Sequence, residues 1–164
     1  MSFDLQIING DLVIKNGNLQ TVEDSGKLIQ DILKICLSDV GSNPLHPGYG
    51  SFLSRSIVGN PAKSSVIVQI AQAQINTCLT NLQQLQQLQI KSLQKVTADE
   101  QLAAILGISV TRSSSDPRLF NIKIKCMTKG FKPITTSFNA STIWKIFYIM
   151  QGMGVNFYGK HSQH

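Results

Sequence analysis

The sequence predicts an α+β domain with an N-terminal β-hairpin, two main helices (one long) and a C-terminal antiparallel β-sheet. Three observations predict it. Asn-Gly pairs interrupt short apolar runs near the start, helical apolar spacing fills the middle, and strict alternation marks the last third. The chain has 164 residues, 42% hydrophobic and 15% charged. A chain near that length buries roughly 68–70% of its unfolded surface. Low charge with this apolar fraction excludes ordinary disorder and suits a subunit that hides surface against partners. Residues 1–142 read as a single domain and 143–164 as a C-terminal extension.

Leu5, Ile7, Leu12, Ile14 and Val22 fall in short runs broken at Asn9-Gly10 and Asn16-Gly17. Both turn positions tolerate positive φ there, so residues 4–22 read as a hairpin or small meander. Asp24 or Ser25 then caps a helix to about Val40, with Leu28, Ile29, Ile32, Leu33, Ile35 and Cys36 on its apolar face and Gly41 as the stop. Gly41 to Gly59 is a Gly- and Pro-rich loop containing His46-Pro47-Gly48-Tyr49-Gly50. Asn60-Pro61 starts the longest helix, to about Leu88. Its Val68, Ala71, Ile75, Cys78, Leu82 and Leu85 follow the spacing of a coiled-coil seam, which a core helix shares. Leu79, Leu82, Leu85 and Leu88 step by three, so the stripe drifts and favours contact with more than one body. Thr97-Ala98-Asp99-Glu100 has the form of a capping box, opening a short helix through about Ile105. Strands follow at Ile108–Arg112, Leu119–Cys126 and Ile134–Phe138, the first two joined across Asp116-Pro117. Ile143 to Met150 could be strand or helix, the remainder reads as a tail, and no internal repeat is expected.

The net charge of +6 divides into −3 over residues 1–40 and +9 over 41–164, and no acid follows Asp116. Such asymmetry suits nucleic acid, a membrane surface or an acidic protein partner, and equally a solvated basic sheet face. Lys123 and Lys125 share one strand face and Ile122, Ile124 and Cys126 the other, as in any half-buried strand, so protein binding ranks above nucleic-acid binding. Cys36, Cys78 and Cys126 are odd in number and far apart, which predicts buried free thiols. The start lacks the pattern of a signal peptide, and no apolar run approaches the ~20 residues that span a bilayer. A soluble product of the cytoplasm, with no membrane partner, is expected. His161 and His164 lack further ligands, so no metal is expected. No nucleophile elbow, phosphate loop or dinucleotide fingerprint occurs, so no catalytic residue and no cofactor is expected.

The order of elements carries a resemblance. Asp4-Leu5-x-Ile7-x-x-Gly10-Asp11-Leu12 precedes a helix with Leu28-x-Gln30-Asp31-x-Leu33 and a turn at Leu37-Ser38-x-x-Gly41. Pro47-Gly48-Tyr49-Gly50-Ser51-x-Leu53 and Val58-Gly59 then lead to a second long helix. Over roughly residues 4–128 this resembles the small baseplate wedge protein, or sheath initiator, of contractile-tailed phages and related injection machines. The resemblance implies a non-enzymatic structural protein of the virion tail baseplate. Its partners would be other wedge proteins, the tail sheath protein, and the tail tube or hub. A ring of about six copies is implied, with the first sheath ring templated by strand addition. The family's Glu-Pro-Arg docking triplet is absent: the region reads Asp99-Glu100-Gln101-Leu102, and Asp116-Pro117-Arg118 sits where a turn is expected. Interface candidates are Tyr49, Leu79, Leu82, Leu85, Leu88, Arg112, Arg118, Lys123, Ile124 and Lys125. Other readings are a different tail or baseplate adaptor, a peptidoglycan-cleaving enzyme acting through Glu23 or Glu100, and a nucleic-acid-binding protein.

Overall fold

Residues 4–22 form three short antiparallel ribbons around a common centre. The computed structural model describes residues 2–8, 10–60, 62–116 and 118–141. Strands β1 (Asp4–Leu5) and β6 (Thr21–Val22) pair, as do β2 (Ile7–Ile8) with β3 (Asp11–Leu12) and β4 (Ile14–Lys15) with β5 (Asn18–Leu19). At the centre three residues bond in a ring. Gln6 N–H donates to the Gln20 carbonyl at 2.9 Å, Gln20 to Val13 at 2.9 Å, and Val13 to Gln6 at 3.0 Å. These positions are seven apart, and so are the strands: Asp4-Leu5, Asp11-Leu12 and Asn18-Leu19 are equivalent. A seven-residue repeat therefore exists, against the expectation of none, and the meander is a pseudo-threefold unit. At its last turn Asn16 and Gly17 take φ of 52° and 76°, the paired positive values of a tight hairpin turn.

Helix α1 (Asp24–Leu37) buries Leu28, Ile32, Leu33, Ile35 and Cys36. It starts after Glu23, which makes no side-chain cap. It also ends three residues before Val40, because the chain is drawn out into pairing with the returning loop. Ser51 N–H donates to the Ser38 carbonyl at 2.8 Å and Val40 N–H to the Ser51 carbonyl at 3.2 Å. The crossing is close: a Cβ on Gly50, whose φ is +115°, would lie 2.6 Å from the Ser38 carbonyl oxygen. That accounts for glycine after Tyr49. The loop also contains an unpredicted helix, α2 (Leu53–Ile57), burying both of its terminal residues.

Helix α3 (Ser64–Lys91) starts later than Pro61, since the Asn60 carboxamide oxygen accepts from Ala62 N–H at 3.0 Å in a turn ahead of it. Ala71, Ile75, Cys78 and Leu82 of the predicted seam are buried with Ile67 and Leu79, while Val68 and Leu85 pack on the core's margin. The seam is thus the chain's own core face. The capping box does not form. Residues Ala98–Glu100 make one 3₁₀ turn, and Thr97 gives its hydroxyl to Asp24 instead. The chain then runs directly into β7 (Leu102–Arg112), so Leu102–Ile105 is strand rather than helix.

Strands β7, β8 (Leu119–Thr128) and β9 (Pro133–Ser141) form an antiparallel sheet with β8 in the middle. Ile122 lies between Val110 and Phe138, and Ile124 between Ile108 and Thr136, on the face that shares one core with the helices. Lys123 lies between Ser109 and Ser137, and Lys125 between Gly107 and Thr135, on the other. All three cysteines are free and buried, as expected. Cys36 Sγ and Cys78 Sγ lie 3.4 Å apart; that contact and burial hold the Cys36 thiol well above its ordinary pKa, and burial pushes Cys126 up to about 11. The segment Ile143–Met150 and the two tail histidines lie outside the described residues. No described helix is long and apolar enough to cross a membrane.

Candidate interaction surfaces

Two of the motifs that carry the resemblance meet. The Gln30 carboxamide is buried between α1 and the ribbon unit, donating to the Leu5 carbonyl at 2.8 Å and to Asp4 Oδ2 at 3.0 Å. Its oxygen accepts from Ile7 N–H at 2.9 Å. Lys34 Nζ adds an ion pair to Asp4 at 2.5 Å, and Asp31 is shared by Lys27 at 3.0 Å and Lys34 at 3.5 Å. Partial burial opposes the Asp4 charge, but Lys34, Gln30 and the Leu5 amide outweigh it and lower the carboxyl's pKa. Lys34 is raised correspondingly, its burial outweighed by Asp4 and Asp31. Gln30-Asp31 and Asp4-Leu5-x-Ile7 are therefore the halves of an internal clasp. Tyr49 packs half-buried against the same core, and burial pushes its hydroxyl pKa up.

The interface candidates separate by burial. Leu79 and Leu82 face the chain's own interior at 0% and 5% exposure, and Ile124 at 1%. These three are corrected from interface to core: helical and strand spacing identify a covered face but not its cover. Leu85 is partly buried and Leu88 is exposed. Arg112 lies at the end of β7 and donates to Ser64 Oγ at 2.7 Å. Arg118 is exposed in a turn where Asp116 accepts from its amide at 2.9 Å and from Leu119 N–H at 3.0 Å, as a turn at this place requires. Lys123 and Lys125 stand exposed on the outer sheet face, but on the central strand, so neither lies at an edge open to a new strand.

Three glutamines have a role that the sequence reading does not assign. Gln72, Gln83 and Gln86 turn from α3 onto the main chain at the outer edge of β7. Gln86, 5% exposed, donates to the Glu100 carbonyl at 2.9 Å and accepts from Leu102 N–H at 2.8 Å. A signal is present, since Gln86 continues the buried stripe four residues after Leu82.

The carboxylates are mostly occupied. Asp99 pairs with Lys132, Asp24 accepts from Thr97 at 2.8 Å, and Asp4 and Asp31 belong to the clasp. Glu100 is fully buried; one oxygen accepts from the Ser2 hydroxyl and the other has no partner among the described residues. No group of metal-binding side chains occurs among the described residues.

Helices sharing a core with one face of a short antiparallel sheet define a small α+β domain. That architecture is found in a chain from Geobacter sulfurreducens described as a "putative tail lysozyme". The TM-score is 0.52 at 9% identity, covering 70% of this chain and 86% of that one. At such identity the likeness shows a common fold. No family model and no curated protein matches the sequence.

Proposed function

We propose that this chain is a structural, non-enzymatic subunit of a contractile tail baseplate, acting as its sheath-initiating wedge component. Its N-terminal unit and helices would pack on other wedge subunits, and its sheet would receive a strand from the first sheath ring. The observation carrying this reading is a three-stranded sheet with a sealed inner face and an outer strand, β9, whose far side no described residue pairs at Thr135, Ser137 or Asn139. Exposed edges are ordinarily avoided, so an edge kept for a partner is consistent with an assembly role. The fold likeness to a tail-associated chain and the motif order support the same reading. The test is to delete the chain from a tail-producing system. Tubes without sheath are expected, and sheaths of normal length on such tubes would refute it.

The description of the Geobacter chain keeps a second reading in view, cleavage of peptidoglycan. It requires two acids flanking a sugar, one held protonated by burial. Glu100 is buried but lies under Ser2, and Glu23 is exposed at a helix start. The enzyme reading predicts cell-wall solubilisation by purified protein that Glu100→Gln removes; the structural reading predicts none at any concentration.

A further inference from the structure

The two outer strands of the sheet are treated differently. Ser113 N–H donates to the Leu119 carbonyl at 2.8 Å. Antiparallel alternation then turns the main chain of Thr111 and Ser109 toward β8, and that of Val110 and Ile108 outward. From Glu100 to Ile108 that outward side is met by α3. Gln72 donates to the Ile108 carbonyl at 3.2 Å, Gln83 to Ala103 at 3.0 Å, and Gln86 bonds at both Glu100 and Leu102. Taking the carbonyl of one residue and the N–H two further on, Gln86 copies the pairing of a parallel strand. The order also fits: α3 runs antiparallel to β7, so Gln72 meets Ile108 and Gln83 meets Ala103, across the irregular register between Ile105 and Gly107. The Gln-rich helix thus replaces a fourth strand along this edge.

Along Thr135, Ser137 and Asn139, strand β9 has no such cover among the described residues. Thr128 N–H donates to the Lys132 carbonyl at 3.0 Å, so Ile134, Thr136, Phe138 and Ala140 bond inward to β8. Thr135, Ser137 and Asn139 direct N–H and carbonyl groups outward, and no described residue meets them. A strand added here would continue the inner face beyond Ile134, Phe138 and Ala140, where apolar side chains fit. Its other side chains would lie two strand spacings, roughly 9–10 Å, from Lys123 and Lys125, within reach of the lysine stems. Neither Lys123 nor Lys125 has an ion-pair partner among the described residues.

We infer that the α3 glutamines restrict the sheet to growth at β9, and that β9 takes an extended partner segment alternating acidic with apolar side chains. This rests on the structural reading above and adds the edge and the partner's chemistry. Amide exchange tests it, on the full chain, with two synthetic peptides as probes: one alternating Val and Glu, the other Val and Lys. The Glu peptide is expected to slow exchange at Thr135, Ser137 and Asn139 by about tenfold or more, and the Lys peptide to leave it unchanged. Equal protection by both overturns the acidic partner. Slowed exchange at Ile108 and Val110 overturns the edge assignment. Protection of β9 in the free chain would mean that its own residues fill the edge, and would overturn the proposal too. In assembled tails, Ser137→Pro removes an outward N–H without touching the ladder, so sheath should be lost from a chain that still folds and incorporates. If sheath still attaches to Ser137→Pro tails while β7 amides are protected, the structural reading stands and the β9 inference fails. If neither edge is protected in wild-type tails, both fail. Opening β7 with Gln72→Ala and Gln83→Ala should produce concentration-dependent self-association; a strictly monomeric variant would show that the glutamines do not close that edge.

Discussion

The N-terminal ribbon unit and the C-terminal sheet are both antiparallel, yet they are stabilised by different things. Each ribbon strand has two residues, and Leu12, Ile14 and Leu19 remain 49%, 66% and 50% exposed. Order there comes from positive-φ turns, a ring of three main-chain hydrogen bonds, and one buried amide from α1. The sheet's strands run nine to eleven residues, and its inner face is sealed against three helices. The first is specified locally by turn chemistry, the second by side chains distant in sequence. Disrupting one should therefore spare the other in one direction only, because the ribbon unit is anchored to a helix that needs the core.

The largest effect is expected from Phe120→Ala. Phe120 is 1% exposed on the central strand, and truncating such a side chain costs about 3–5 kcal/mol. Denaturant unfolding followed by circular dichroism should show one transition at a lower midpoint, with the ribbon amides losing protection together with the sheet. A cost below about 1 kcal/mol would mean that this site collapses without a cavity. Gln30→Leu is the reverse experiment. It strands the Leu5 carbonyl and the Ile7 N–H, at roughly 1–3 kcal/mol. Exchange should quicken at Gln6, Val13 and Gln20 while Ile122 and Ile124 stay protected. Equal acceleration in both regions would refute the separation of the two units.

The same division explains what is legible in the sequence. Asn16-Gly17 is readable because the requirement for positive φ is carried by the two residues themselves. The repeat is hidden because its third copy, Asn18-Leu19-Gln20-Thr21-Val22, has lost the Asn-Gly that marks the others. Strand alternation over Leu119–Cys126 is clear because one face is buried and the other wet. Leu102–Ile105 reads falsely as helix because Thr97 to Glu100 mimics a helix start, whereas Gln86, far back in the chain, holds the segment extended. The end of α1 depends likewise on Ser51. Among the candidate surface residues, Arg118, Lys123 and Lys125 are legible as exposed, while Leu79, Leu82 and Ile124 are not separable from core. Periodicity reports a buried face and is silent on whether another chain or the same one buries it.

Two glycines offer a smaller contrast. Gly17 has φ of +76°, whereas Gly107 lies in β7 without positive φ and with open space where a Cβ would sit. Gly17→Ala should cost about 1–2 kcal/mol through left-handed strain. Gly107→Ala should be neutral or stabilising by about 0.4–1 kcal/mol, since it restricts the unfolded chain. Thermal unfolding of both variants separates the cases, and a destabilised Gly107→Ala would mean that the bulged start of β7 uses its backbone freedom.

The smallest effect concerns the charge beside the Gln30 clasp. The pair Lys34–Asp4 is 38% and 29% exposed, so screening limits it to roughly 1 kcal/mol or less. Asp4 has its pKa lowered in the folded state. Its contribution is therefore complete above the ordinary aspartate range, near about pH 4, and is lost as pH falls through the lowered value. Lys34 is raised, so its contribution is complete below the ordinary lysine range, near about pH 10, and fades only as pH climbs through the raised value. Between those limits the clasp should be insensitive to pH. After correction for intrinsic rates, exchange at Gln6, Val13 and Gln20 should be flat through neutrality and quicken in acid, whereas the sheet amides should not respond in step. Added salt should reduce the difference, and Asp4→Asn should abolish it. If Asp4→Asn keeps the same acid response, the ion pair has no part in joining the turn-specified unit to the core-specified one.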